Sequence, residues 1–295
     1  FVSTLLSPLG LLYGMSTARR LSKSTVTKSG VPVLCVGNLN VGGTGKTPTV
    51  IALTEIAKAQ GAKPLVLSRG YRGHLKGPVL VDEFKHEANQ TGDEPLLLAS
   101  FATTIVCKNR VRGIAFAETH APDIIILDDG FQDPSVEKTK SLIVVDAEHG
   151  FGNGLCLPAG PLREPVANGL LRADAVLSIG EAKAQRNFTS TWGKMIKCQH
   201  MTAELKPVVT GMDWSKGSYI AFAGIGNPDK FFKTLRMLGA NLVHTEILGD
   251  HATISPRFLK RLRILAYETG AQLVTTEKDV VRLPKNFRRD ILSLP

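Results

Sequence analysis

Unbroken apolar runs recur along this chain, separated by segments in which apolar residues fall at helical spacing. Residues 31–36, 64–67, 103–107, 123–127, 141–145 and 173–179 read as buried strands. Residues 49–59, 92–101 and 111–119 read as helices with one apolar face. Strands alternating with helices predict an α/β fold with a largely parallel sheet covered on both faces. Ligands in such folds bind at the carboxyl ends of the strands. The pattern fades over residues 183–217, which are polar and contain Trp192, Trp214 and Gly217; we read them as an extended connection, with paired strands as an option. A shorter alternation follows, with strands at 219–223, 242–248 and 272–275 and helices at 231–238 and 258–267. The expected division is residues 1–182, a linker over 183–217, and a smaller α/β domain over 218–295.

The turn after the first strand carries the most chemistry. Gly37-Asn38-Leu39-Asn40-Val41-Gly42-Gly43-Thr44-Gly45-Lys46-Thr47-Pro48 lies between an apolar strand and an apolar-periodic helix. This is the phosphate-binding loop of nucleoside triphosphatases and kinases. Glycines let its N–H groups curl around a polyphosphate at the positive end of the helix. The nucleotide-binding residues are therefore Asn40, Val41, Gly42, Gly43, Thr44, Gly45, Lys46 and Thr47. Lys46 is placed to reach the β- and γ-phosphates, and Thr47 offers a hydroxyl to Mg²⁺. Asn40 stands where the pattern has glycine. The loop predicts ATP or GTP as ligand, and its fold class is a P-loop kinase-like sheet.

A second signal is Ile124-Ile125-Ile126-Leu127-Asp128-Asp129, an apolar strand ending in two carboxylates, where such loops find their Mg²⁺ partner. Thr47, Asp128, Asp129 and Glu94 form the candidate metal set. Proton transfer from an acceptor hydroxyl needs a base. Asp93 at a helix start and His251 in a loop before Pro256 are candidates, although a helix-capping aspartate and an exposed histidine would look the same. Gly224-Ile225-Gly226 lacks a third glycine and reads as a plain strand-to-helix turn.

Charge narrows the partner class. The formal net charge is +10, and no acidic residue precedes Glu55, whereas Arg19, Arg20, Lys23, Lys28 and Lys46 do. Basic clusters recur at 257–263 and 282–289. Such a balance suits nucleic acid, a phosphorylated substrate or an anionic membrane, or else marks solvated helix faces. Cys35, Cys107, Cys156 and Cys198 are widely spaced, which argues for free thiols in a reducing cytoplasm. No run approaches the ~20 apolar residues that span a bilayer. Residues 1–15 are nonetheless rich in leucine and are followed by basic residues, the reverse of a signal peptide. Two readings stand for this segment: a helix in the membrane interface, or one packed on the core. The chain begins at Phe1 rather than methionine, which leaves its natural start open.

The motifs in their order resemble the tetraacyldisaccharide 4'-kinase family of lipid A synthesis. The matching blocks are Val33-Leu34-Cys35-Val36-Gly37-Asn38 with the phosphate loop, Leu67-Ser68-Arg69-Gly70-Tyr71 and Gly92-Asp93-Glu94-Pro95. Asp128-Asp129-Gly130-Phe131-Gln132 and Leu157-Pro158-Ala159-Gly160-Pro161-Leu162-Arg163-Glu164-Pro165 follow. In the second unit they are Gly224-Ile225 with Pro228, Asp250-His251, and Thr275-Thr276-Glu277-Lys278-Asp279. The resemblance covers nearly the whole chain. It implies an ATP- and Mg²⁺-dependent kinase that phosphorylates the 4'-hydroxyl of a tetraacyldisaccharide 1-phosphate between two domains. It also implies Asp93 as base supported by His251, Asp128 and Asp129 in the metal region, and Arg110, Arg163 and Glu164 nearby. The catalytic set is then Asp93, His251, Lys46, Asp129, Arg110 and Arg163. The expected partner is an anionic glycolipid at the cytoplasmic face of the inner membrane, met through the N-terminal segment. Ala252 and Asp133 stand where the family often has histidines.

Two rivals come from other classes. A partner-regulated switch ATPase or GTPase would carry a lysine where Val41 stands. A nucleic-acid-dependent ATPase would need basic and aromatic residues interleaved, and only 6% of residues are aromatic. No nucleic acid and no obligate protein partner are expected.

Overall fold

The computed structural model describes residues 2–22, 26–249 and 254–295. Its strands are β1 (Val33–Gly37), β2 (Pro64–Ser68), β3 (Val79–Leu80), β4 (Thr103–Val106), β5 (Ile124–Asp128), β6 (Lys140–Asp146), β7 (Ala175–Ile179), β8 (Gln199–Ala203), β9 (Ser218–Ala223), β10 (Asn241–Ile247), β11 (Gln272–Thr276) and β12 (Ile291–Leu294). Its α-helices are α1 (Val2–Ser22), α2 (Lys46–Ala59), α3 (Ala88–Thr91), α4 (Asp93–Leu98), α5 (Arg110–Glu118), α6 (Val166–Leu171), α7 (Ala182–Trp192), α8 (Pro228–Met237), α9 (Pro256–Thr269), α10 (Glu277–Val280) and α11 (Lys285–Arg288).

Eight strands form one sheet in the order β3-β4-β2-β5-β1-β6-β7-β8, and four form a second in the order β10-β9-β11-β12. Every pairing is parallel except that of β3 with β4. The β1 and β5 runs are apolar because both faces of a parallel sheet are covered. Cys35, Leu127, Ile143 and Leu67 face one core cluster, and Val36, Ile126, Val144 and Val66 face the other. Parallel pairing puts the ends of β1, β2 and β5 at one edge of the sheet, so the phosphate loop, Ser68 and Asp128 come together there. The smaller α/β domain has its own core, with Ala221, Phe232 and Leu235 on one side of the sheet and Phe222, Leu259 and Leu262 on the other.

The expected extended connection over 183–217 is corrected by the structure. Most of its first half is helix α7, and β8 pairs with β7 as the outer strand of the large sheet. Among the residues of α7 only Phe188 is buried, against Phe151.

Helix α1 docks through small residues. Gly10, Gly14 and Thr17 are buried, and an added Cβ at Gly10 would stand 2.8 Å from the Cys156 carbonyl oxygen. The large apolar residues point away: Leu5, Leu9, Leu11, Leu12 and Met15 are all more than half exposed. No helix among the described residues is long and apolar enough to cross a membrane.

Candidate active site

The phosphate loop is held from three sides. Gly45 precedes α2 with φ 92°, and a Cβ there would lie 2.7 Å from Ile179 Cδ1, so this position requires glycine. Below the loop, the buried Asn38 amide donates to Thr44 Oγ1 (3.1 Å) and the Gly42 carbonyl (3.4 Å). Asn40 explains its departure from the pattern by donating its side-chain amide to the Gly150 carbonyl at 3.0 Å. The Val41 N–H donates to Pro161 O at 2.8 Å, tying the loop to the proline-rich block. An added Cβ at Gly42 or Gly43 would meet open space, and at Gly42 the φ of 112°, not crowding, sets the residue type.

Lys46 begins α2, and its buried side chain brings Nζ within 3.7 Å of Asp129 Oδ1. Arg163 Nη1 lies 2.8 Å from the same oxygen. Burial alone would raise the Asp129 carboxyl, but Lys46 and Arg163 hold it below the ordinary carboxylate value. Asp128, at the end of β5, accepts from Ser68 Oγ at 2.8 Å. Burial first, then the Glu94 and Asp129 charges, push its carboxyl up to about 6. Neighbouring aspartates are thus held in opposite electrostatic states (compensated and crowded).

Arg110, expected among the catalytic residues, points inward and is 2% exposed. It donates from Nη1 to Leu67 O (2.9 Å) and from Nη2 to Asp128 O (2.6 Å), both main-chain carbonyls. Its guanidinium braces the ends of β2 and β5. Glu164 is also buried; it accepts from Gln132 Nε2 at 3.0 Å and pairs with Arg172. The same Gln132 nitrogen donates to Asn38 O at 2.8 Å, joining this ion pair to the strand under the phosphate loop.

Asp93 and Glu94 open α4 after Gly92, whose φ of 91° makes it the helix-capping residue. Asp93 occupies the first helical position, is 5% exposed, and accepts from the Glu94 N–H at 3.0 Å. Glu94 Oε1 pairs with Lys278 Nζ of the second domain at 3.0 Å. Thr47 follows Lys46 in the first turn of α2. The structure therefore brings Lys46, Asp129 and Arg163 into one cluster, with the Glu94 charge among those that raise the Asp128 carboxyl. His251 and Ala252 lie outside the described residues. Asp133, the other departure, accepts from Ser135 N and Oγ and shapes a turn.

Sequence reasoning assigned no role to Ser68, Asn38, Gln132, Arg172 or Lys278. Ser68, Asn38, Gln132 and Lys278 stand inside motifs already singled out, so their signal was position within a block. Arg172 had no such marker.

The donor set suits a divalent cation. An acidic pair at a strand end, a threonine hydroxyl and a third carboxylate are hard oxygen ligands. Burial first, then the Glu94 and Asp129 charges, outweigh Lys46 in raising the Asp128 carboxyl, so a cation at this strand end would relieve the charge crowded there.

The chain is similar to proteins of one family over its whole length. A family model described as tetraacyldisaccharide-1-P 4'-kinase matches residues 2–295. The tetraacyldisaccharide 4'-kinase of Dinoroseobacter shibae is 53% identical over 291 residues, covering 98% of this chain and 86% of that one. That of a Jannaschia species is 50% identical over 293 residues, covering 99% and 89%. Among solved structures, LpxK from Aquifex aeolicus in complex with ATP aligns with a TM-score of 0.77 at 26% identity, covering 100% of this chain and 94% of that one. With its phosphate loop, its acidic strand end and its second domain in the matching order, this chain belongs to the tetraacyldisaccharide-1-P 4'-kinase family.

Proposed function

We propose that the protein transfers the γ-phosphate of ATP to the 4'-hydroxyl of a tetraacyldisaccharide 1-phosphate, a step of lipid A synthesis. The observation that carries this is the convergence of Lys46, Asp129 and Arg163 at the phosphate loop, in a chain of this family.

Phosphate-loop amides and Lys46 cradle and neutralise the triphosphate, at the start of α2 where the helix dipole favours anions. Asp93 accepts the proton of the acceptor hydroxyl as that oxygen attacks the γ-phosphorus in line, with His251 supporting it. Arg163 holds Asp129 in place, and Arg110 fixes the strand ends that carry Asp128 and Ser68. Thr47, Asp128, Asp129 and Glu94 are the residues that would hold Mg²⁺, which when bound neutralises charge on the phosphates. The rival switch ATPase gains nothing from this arrangement, since Val41 forms a main-chain tether to Pro161 rather than offering a cation.

The acceptor is a lipid, and extracting acyl chains costs about 0.8 kcal/mol per CH₂. The exposed leucines of α1, followed by Arg19 and Arg20, support a role for that helix in holding the enzyme on the cytoplasmic face of the inner membrane.

The test is transfer of labelled γ-phosphate to a detergent-dispersed tetraacyldisaccharide 1-phosphate. Labelled lipid, absent with Asp93→Ala and with Lys46→Ala, is the expected result. ATP hydrolysis with no labelled lipid would overturn the acceptor assignment.

A further inference from the structure

Helix α9 covers one face of the second domain's sheet. Leu259 and Leu262 are buried in the core with Phe222 and Leu273, and Phe258, Leu265 and Ala266 pack beside them. A helix seated by such a stripe normally turns a polar stripe to solvent. The outer stripe of α9 departs from that rule. Spaced three or four residues apart along it stand Arg257, Lys260 with Arg261, Ile264 and Tyr267, all exposed. Ile264 is 52% exposed and Tyr267 91%. One exposed apolar side chain is ordinary. Here two stand a turn apart, directly after a run of cations on the same face.

The charge of this face is lopsided. Glu268 is the only acidic residue of α9, against Arg257, Lys260, Arg261 and Arg263. Arg261 pairs with Glu246 at 2.9 Å, and Arg263 pairs with Asp290. Arg257 and Lys260 have no acidic partner among the described residues. Together with Arg263 they line a cleft of about 440 Å³ whose apolar walls are Pro256 and Phe287. The Arg263 guanidinium lies over the Phe287 ring at 4.1 Å from its centroid, which fixes that wall. Cations around an apolar cleft, followed by an isoleucine and a tyrosine, match an anionic bilayer surface. Phosphates meet the cations, and an amphipathic ring settles at headgroup level. A nucleic acid has no apolar layer to receive Ile264.

We propose that the outer face of α9, carrying Arg257, Lys260, Ile264 and Tyr267, is a second membrane-contact surface that takes the phosphate headgroups of anionic lipids. The inference rests on the reading of the acceptor as a membrane lipid, since that brings the chain to a bilayer. The contact adds to that of α1 and does not replace it. Two unpaired cations at physiological salt hold too weakly to keep the protein on vesicles alone. What the contact supplies is a hold of the second domain's own on the surface that carries the acceptor.

The experiment measures partitioning of the full chain onto phosphatidylcholine vesicles with and without phosphatidylglycerol, as wild type, Arg257→Gln/Lys260→Gln, Arg257→Lys and Tyr267→Trp. The double variant should bind the anionic vesicles about twenty-five-fold more weakly, at about fivefold for each cation removed. On neutral vesicles it should match wild type, and Arg257→Lys should match wild type on both. The indole of Tyr267→Trp should shift to the blue and be quenched by brominated lipid on anionic vesicles, beyond the signal of Trp192 and Trp214 in wild type. Lipid labelling in neutral detergent micelles should be equal in wild type and the double variant, whereas on anionic vesicles the double variant should show a raised KM with kcat unchanged. Unchanged binding of the double variant to anionic vesicles, or an added indole that stays in water, overturns the inference alone. An equal loss on neutral and anionic vesicles does the same, because headgroup charge is then not what is read. Wild type that labels no lipid in micelles overturns the acceptor reading and the inference with it.

Discussion

Adjacent residues at the end of β5 are set to different tasks by what surrounds them. Asp129 faces Lys46 and Arg163 and is held ionised, while Asp128 is buried among other carboxylates with its carboxyl up at about 6. A raised native pKa means that the folded protein grips this proton more tightly than the unfolded chain does. The resulting stabilisation is complete below pH ~4 and is lost as pH rises through about 6. Asp128→Asn should therefore stabilise the metal-free protein by about 1–2 kcal/mol at pH 7.5, with the gain shrinking towards pH 4. Thermal melts at both pH values check this, and destabilisation at pH 7.5 would contradict the crowding argument. Lys46→Ala should reduce kcat/KM by about a thousandfold, since it removes a cation aimed at the phosphates. Asp93→Asn should lower kcat by about 10²–10⁴ while leaving ATP affinity near that of wild type, because its proposed work is proton acceptance. Equilibrium nucleotide binding alongside turnover separates these two outcomes.

Among the elements, those with a strong local signal were legible and those shaped by neighbours were not. The strands β1, β2, β5, β6 and β7 are apolar because both their faces are covered, and their runs marked them within a residue or two. Strand β8 is polar, Gln199-His200-Met201-Thr202-Ala203, because an outer strand is covered less. Helix α7 seats Ala184, Phe188 and Trp192 at four-residue spacing, but only Phe188 is fully buried and the rest of the helix is polar, so the apolar stripe is thin. Both were consequently taken into an extended connection. Helix α1 was legible as apolar, but its docking face was not, since it is made of Gly10, Gly14 and Thr17 rather than leucines. Gly14→Leu should therefore lift α1 from its seat, because an added Cβ already stands 3.3 Å from the Pro165 ring. Faster hydrogen exchange over residues 2–22, with the rest of the chain unchanged, is the expected readout.

For the molecule as a whole, the arrangement predicts where it meets its surroundings. Replacing Leu5, Leu9 and Leu12 with serine should abolish sedimentation with anionic vesicles while leaving the melting temperature within a degree or so, since these side chains are exposed in the fold. Vesicle binding that persists would move the membrane contact elsewhere. In the native protein a thiol reagent at neutral pH should label Cys198 and spare Cys35, whose burial pushes its thiol up to about 12. The docking of α10 on α4 also belongs to this scale, because it joins residues 184 positions apart in the chain.

The amino-acid sequence by itself determined the alternating α/β pattern, the phosphate loop, the acidic strand end and the family resemblance. Each is a local arrangement, in which neighbouring residues dictate backbone conformation and chemistry together. Only the tertiary structure decided that Arg110 turns inward to brace main-chain carbonyls, that Asn40 tethers the loop to Gly150, and that Lys278 crosses to Glu94. Such contacts depend on how sheets and helices stack, and a charged side chain reads the same in sequence whether it meets solvent or a buried partner.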